Sequence, residues 1–122
     1  MDKSDVQLYS LTDSLREMVS ILSLDDKCPW IKIFSVLQRK AESILCSGCT
    51  RDELERLSSA IIILYRVESG FADYAPLEFN RQTGGYYYII GAENFTDVSW
   101  KIYSAAEEML SDTEDALTGK TH

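Results

Sequence analysis

Histidine is nearly missing from this chain of 122 residues: the one present, His122, stands at the last position. A Ser-His or Cys-His arrangement therefore has no firmly held base, which argues against nucleophilic hydrolysis. Basic residues are also scarce, 12 against 20 acidic ones, for a net charge of −8 and a pI near 4.5. Such a charge repels phosphate backbones and anionic lipid, so nucleic acid and membrane surfaces are not expected as partners and basic proteins are. The only adjacent basic pair is Arg39-Lys40. Long apolar runs are absent too; the longest, Ala60 to Tyr65, is far too short to cross a bilayer. The polar, acidic opening Met1-Asp2-Lys3-Ser4-Asp5 lacks the pattern of a secretory signal, and a cytoplasmic location is expected.

Cysteines number three, an odd count. Cys46-Ser47-Gly48-Cys49 has Cys-x-x-Cys spacing, but a zinc site needs further ligands, and only Cys28 and the terminal His122 remain. A redox pair should open a helix after a strand, whereas this string lies where a helix ends. Reduced thiols are the expectation. Gly84-Gly85 is not followed by a phosphate-loop Lys-Ser/Thr, and no Gly-x-Gly-x-x-Gly exists. Neighbouring acids such as Glu107-Glu108 point in different directions on a helix and do not converge on one substrate atom. No enzyme, metal or cofactor is expected.

What is present is helical periodicity. Leu8, Leu11, Leu15, Met18, Val19 and Leu22 form one stripe, with Ser4 as N-cap. A second helix opens at Pro29, in the first-turn position that proline tolerates, and carries Trp30, Ile33, Phe34, Leu37, Ala41, Ile44 and Leu45. Gly48 is placed to end it in the left-handed conformation. Thr50-Arg51-Asp52-Glu53 reads as a capping box opening a third helix with Leu54, Leu57, Ile61, Leu64 and Tyr65. Ile62 and Ile63 make its end apolar nearly all round, which predicts a central helix. Residues 61–65 also fit a buried strand, and the capping box decides for helix. Past Gly70 the chain turns aromatic; Leu77-Glu78-Phe79 and Tyr86 to Ile90, split by a polar and glycine turn, predict a β-hairpin packed on the helices. A last helix begins at Thr96 as N-cap, with Val98, Ile102, Ala105, Ala106, Met109 and Leu110 on its stripe.

The expected fold is therefore mainly α: a four-helix bundle-like domain over residues 1–112, with a small hairpin at about 77–90 inserted before the last helix. Residues 113–122 are expected to be a flexible acidic tail. Charge divides unevenly along the chain. Residues 1–60 hold 8 basic and 10 acidic side chains, and residues 61–122 hold 4 and 10, a net of −2 against −6. The second half also carries Tyr74, Tyr86, Tyr87, Tyr88, Trp100 and Tyr103. Acid with tyrosine and tryptophan suits a docking face for a basic partner, since rigid rings dominate binding energy and charge steers encounter.

Trp30, Leu64-Tyr65, Ser69-Gly70-Phe71-Ala72-Asp73, the 77–90 segment and the helix from Thr96 resemble a pattern in a family of small bacterial immunity proteins, over about residues 29–111. The resemblance implies a cytosolic, non-catalytic inhibitor of one cognate toxin domain, often a nuclease, as in contact-dependent growth inhibition. The alternative is a cytosolic adaptor or regulatory domain. On either reading the expected contact residues are Glu68, Asp73, Tyr74, Glu78, Tyr86, Tyr88 and Glu93, with Trp30, Leu64 and Tyr65 in the core.

Overall fold

Apolar residues three and four apart wind into four helices in the computed structural model, which describes residues 3–48, 50–66 and 70–118. The helices are α1 (Lys3–Leu22), α2 (Ile31–Ser47), α3 (Arg51–Arg66) and α4 (Phe95–Thr118). Between α3 and α4 come a 3-10 turn (Phe71–Asp73) and strands β1 (Leu77–Asn80) and β2 (Gly85–Tyr88). In the bundle α1 packs on α2 and α4, and α4 packs on α3. The α2–α3 seam is the thinnest, and the pairs α1/α3 and α2/α4 lie across the diagonals.

Each stripe supplies one wall of the core. Leu8, Leu11, Leu15, Met18 and Leu22 of α1 are wholly buried, as are Phe34 and Ala41 of α2, Ile61 of α3, and Ile102 and Ala106 of α4. Full burial of one such aliphatic side chain contributes about 1.5–3 kcal/mol, so these stripes carry the fold. The end of α3 departs from expectation. Ile61 and Ile62 are buried, but Ala60 is exposed and Ile63 is 57% exposed. A helix at one corner of a bundle has two neighbours, so an all-round apolar segment leaves one side in water.

The helix ends show which signals acted. Thr50 Oγ1 accepts from the Glu53 N–H at 3.2 Å, the expected N-cap bond, while its hydroxyl donates to the Glu53 carboxylate at 2.8 Å. Three expected starts shift. Helix α1 begins at Lys3, so Ser4 is inside its first turn. In α2 the residue at the N-cap is Trp30, which offers no side-chain cap, and Pro29 precedes it. Helix α4 begins at Phe95, and the Thr96 hydroxyl is engaged by Tyr88 instead of capping. Gly48 takes the positive φ expected of it (95°) but with an extended ψ of 141°, so the chain leaves α2 without the left-handed turn. At the far end α4 continues to Thr118, so the backbone of 113–118, expected to lie in the tail, is helical.

Beta pairing is antiparallel, with Leu77 opposite Tyr88, Glu78 opposite Tyr87 and Phe79 opposite Tyr86. Asn80 builds the turn. Its side-chain carbonyl accepts from the Gln82 and Thr83 N–H groups, and its backbone carbonyl from Gly84 at 2.8 Å. Gly84 closes the turn at φ 73°, a conformation that glycine alone adopts freely. The hairpin does not pack on the helices as expected: both strands are exposed, Gly85 alone being half-buried. It is tethered at its base. Pro76 is buried and accepts from the Ile89 N–H, Ala92 is buried, and the Tyr88 and Thr96 hydroxyls meet at 3.0 Å. Within the hairpin the Phe79 and Tyr86 rings pair at 5.3 Å.

One end of the bundle is closed by rings around Phe71, which is 1% exposed. Trp30 and Phe34 from the start of α2, Tyr65 from the end of α3, Tyr74, and Phe95 from the start of α4 all lie with centroids 4.5–5.9 Å from it. Several of these contacts are edge-on or tilted, the arrangement that ring quadrupoles favour. Phe71→Ala opens a cavity that the surrounding helices cannot fill, and a loss of about 3–5 kcal/mol in urea unfolding is expected. Ser58 is the opposite case. It is wholly buried on α3 and its hydroxyl has no hydrogen-bond partner among the described residues. Ser58→Ala removes an unmet polar group at little change in volume, and a gain of about 1 kcal/mol in the same measurement is expected.

Candidate functional site

Large side chains left in water mark the surface to examine. Between the bundle's closed end and the hairpin, Phe79 (53%), Tyr86 (68%), Tyr87 (51%) and Trp100 (67%) are the most exposed rings. Period two in the strands puts Leu77, Phe79, Tyr86 and Tyr88 on one hairpin face and Glu78 and Tyr87 on the other. The first face is apolar throughout. Tyr88 links it to the bundle, because it also lines a pocket of about 440 Å³ under the hairpin base.

Rings from several elements wall that pocket. Tyr65 enters from α3, Phe71 from the 3-10 turn, Tyr74 from the position just past that turn, Tyr88 from β2, and Phe95, Trp100 and Tyr103 from α4. Residues 96, 99, 100 and 103 form one stripe along α4, which is why a single helix supplies so much of the wall. Most of the wall's hydroxyls are engaged within the chain. Tyr65 donates to the Ser99 carbonyl at 3.2 Å and accepts from the Ser99 hydroxyl at 3.0 Å. Tyr74 donates to the Asp25 carboxylate at 2.6 Å. Burial pushes the Tyr65 phenol up to about 12, partly offset by its bond to Ser99. Tyr74 is raised well above the usual phenol value, first by burial and then by its bond to Asp25 and the nearness of Cys28.

The expected contact residues divide. Tyr86 and Tyr88 share the exposed hairpin face. Glu78 is exposed on the opposite face, beside Tyr87 and near Arg81 at the turn, so the hairpin is not itself acidic. Asp73 is exposed on the 3-10 turn. Glu93 is exposed, and its carboxylate accepts from the Gly91 N–H at 2.8 Å, which fixes the loop into α4. Tyr74 is half-buried, stacked on Phe71 and edge-on to Phe95, in place as part of the ring cluster. Glu68 lies outside the described residues. Of the expected core residues, Trp30, Leu64 and Tyr65 are half-buried and packed against the core.

Sequence reasoning left out Trp100, Phe79 and Asp97 as contact residues. Trp100 was legible in outline, since it falls off the Val98-Ile102-Met109 stripe and so faces outward. Two further acids of α4 are engaged elsewhere: Glu107 pairs with Arg66 at 3.5 Å and Glu108 accepts from Gln7 at 2.9 Å. Asp73, Glu78 and Asp97 form no ion pair among the described residues. Cys28 is half-buried and its sulfur accepts from the Trp30 N–H at 3.4 Å, Cys46 is exposed, and Cys49 lies outside the described residues. Among the described residues no group of three or more His, Cys, Asp or Glu is placed to hold a metal ion, and no helix is long and apolar enough to cross a membrane.

The raised phenols make stability depend on alkaline pH. Below pH 10 Tyr65 holds its proton in both folded and unfolded chains. Between about 10 and 12 the unfolded chain releases it and the folded chain does not, so stability falls as pH rises. Tyr65→Phe should lose less over that window than the parent, by about 1–2 kcal/mol, in urea midpoints taken at its two ends.

No protein family, no curated protein and no solved structure matches the chain.

Proposed function

We propose that this chain is a stoichiometric binding protein, an immunity-type inhibitor that docks its hairpin face and the adjoining end of α4 onto a basic toxin domain. The observation that carries this reading is the uncovered ring surface of Phe79, Tyr86, Tyr88 and Trp100. Contiguous exposed apolar surface of this kind marks interaction sites in soluble proteins. Aromatic anchors of low conformational entropy are also the residues that dominate binding energy. Asp73 and Asp97, each without an ion-pair partner among the described residues, supply the charge that draws a basic surface in. The resemblance to immunity proteins supplies the class of partner. A nuclease presents lysines and arginines to phosphate, and this face offers carboxylates and rings to those same groups.

Capture from the native host tests the reading. The immobilised chain should retain a basic protein that degrades nucleic acid, and one equivalent of chain should silence that activity. Phe79→Ser with Tyr86→Ser, which also removes the pair that holds the hairpin, and Trp100→Ser, which does not, should each leave the helical circular dichroism unchanged and weaken capture by tenfold or more, about 1.4 kcal/mol. Retention that either variant leaves intact, or a captured partner with no toxic activity, overturns the proposal; the second outcome returns the chain to an adaptor role.

A further inference from the structure

We infer that the pocket walled by Tyr65, Phe71, Tyr88, Phe95, Trp100 and Tyr103 receives a cationic side chain, the guanidinium of an arginine projecting from the docked partner. The inference rests on the docking reading for the source of the arginine. At about 440 Å³ the pocket lies within the size range of small-ligand sites, about 300–1,000 Å³. Among the described residues, no charged one lines it. Its hydroxyls at Tyr65, Tyr88 and Tyr74 are already engaged inside the chain, so a polar neutral ligand finds few groups to grip. What the wall still offers is aromatic rings, and a desolvated guanidinium is attracted to the face of such a ring. Arginine suits this better than lysine because its planar head stacks on rings and is more weakly hydrated.

Charge around the mouth agrees. Asp73 sits between the lining residues Ala72 and Tyr74, and Asp97 comes directly after the lining residue Thr96. Both are exposed and form no ion pair among the described residues. A guanidinium of the chain itself already stands at the rim: Arg66 bonds the Tyr103 hydroxyl and pairs with Glu107 at 3.5 Å. Lys101 follows the lining residue Trp100 as Asp97 follows Thr96, so one lysine also stands beside the lining. The residues flanking the lining thus include two carboxylates that form no ion pair among the described residues.

The test uses the whole chain and two small probes, N-acetyl-arginine methylamide and the uncharged isostere N-acetyl-citrulline methylamide. Titration is monitored by the Trp100 indole and tyrosine ring resonances. Saturable shifts with the arginine probe are expected, with citrulline weaker by roughly three- to thirtyfold. Trp100→Leu, at an exposed position, should bring arginine down to the citrulline level. Equal affinity for the two probes overturns the inference. So does the absence of saturable shifts, or an arginine effect that survives Trp100→Leu and vanishes in Asp73→Asn with Asp97→Asn, which is surface attraction without the pocket. The probes need no partner protein. Their failure leaves the docking reading standing, while probe binding without partner capture removes that reading and keeps the pocket.

Discussion

Phe71 is the contact on which the arrangement depends. It sits in a three-residue turn after α3, yet it touches rings from the beginning of α2, the end of α3 and the beginning of α4. A helical bundle is weakest at its ends, where stripes stop and backbone groups lose their partners. Here a ring at the centre of other rings seals one end. The same ring fixes where the chain emerges, since Gly70 just before it is buried and Tyr74 after it is tied to the α1–α2 loop through Asp25. Only with that exit held does the hairpin base at Pro76 stand beside α4. The pocket is a consequence of this seal: it is the space left between the outer rim of the cluster and the strand that departs from it.

Helices were legible because their signal is repeated. Each stripe states its period several times over, and a single misread residue changes little. Ends were less legible because each rests on one residue. Thr50 worked as a cap, but Ser4 and Thr96 did not, and nothing local distinguishes the three. Thr96 failed for a tertiary reason: Tyr88, eight residues earlier, claims its hydroxyl. The hairpin's existence was readable from its strand formers and turn, but its position was not. Periodicity reports that Leu77, Phe79, Tyr86 and Tyr88 share a face; it does not report whether that face has anything to lie on. Tyr74 misled for a related reason. A tyrosine in an acidic loop reads as surface, and only the fold reveals that its ring stacks on Phe71 and meets Phe95 edge-on.

Net charge alone overstated the acidity of the proposed face. Glu93, Glu107 and Glu108 have partners that fix a loop or join helices. Of the three only Glu107 meets an opposite charge, at Arg66; a backbone N–H and a neutral amide leave Glu93 and Glu108 charged but held. The hairpin balances Glu78 with Arg81. Beside the pocket Asp73 and Asp97 lie outside any ion pair among the described residues. The surface is thus ringed by acid and centred on aromatics, the layout of an interface whose core supplies energy and whose rim supplies steering.

Exposed rings need not mean a partner, and the individual residues differ in how far the fold accounts for them. Phe79 and Tyr86 pair across the strands, and a two-stranded hairpin standing clear of the core needs such a pair to hold itself together. Tyr87 lies over Gly85, where an added Cβ would meet its ring at 3.4 Å, and so covers the backbone at the turn. Tyr88 is bonded to Thr96. Trp100 has only a distant companion, Tyr103 at 6.4 Å, and two-thirds of it faces water on a helix whose opposite side already fills the core. A glutamate or lysine there would serve α4 at least as well by helix propensity. Folding therefore gives reasons for the hairpin's rings and none for Trp100, and that asymmetry makes the mouth of the pocket the part of this surface where function has the strongest claim.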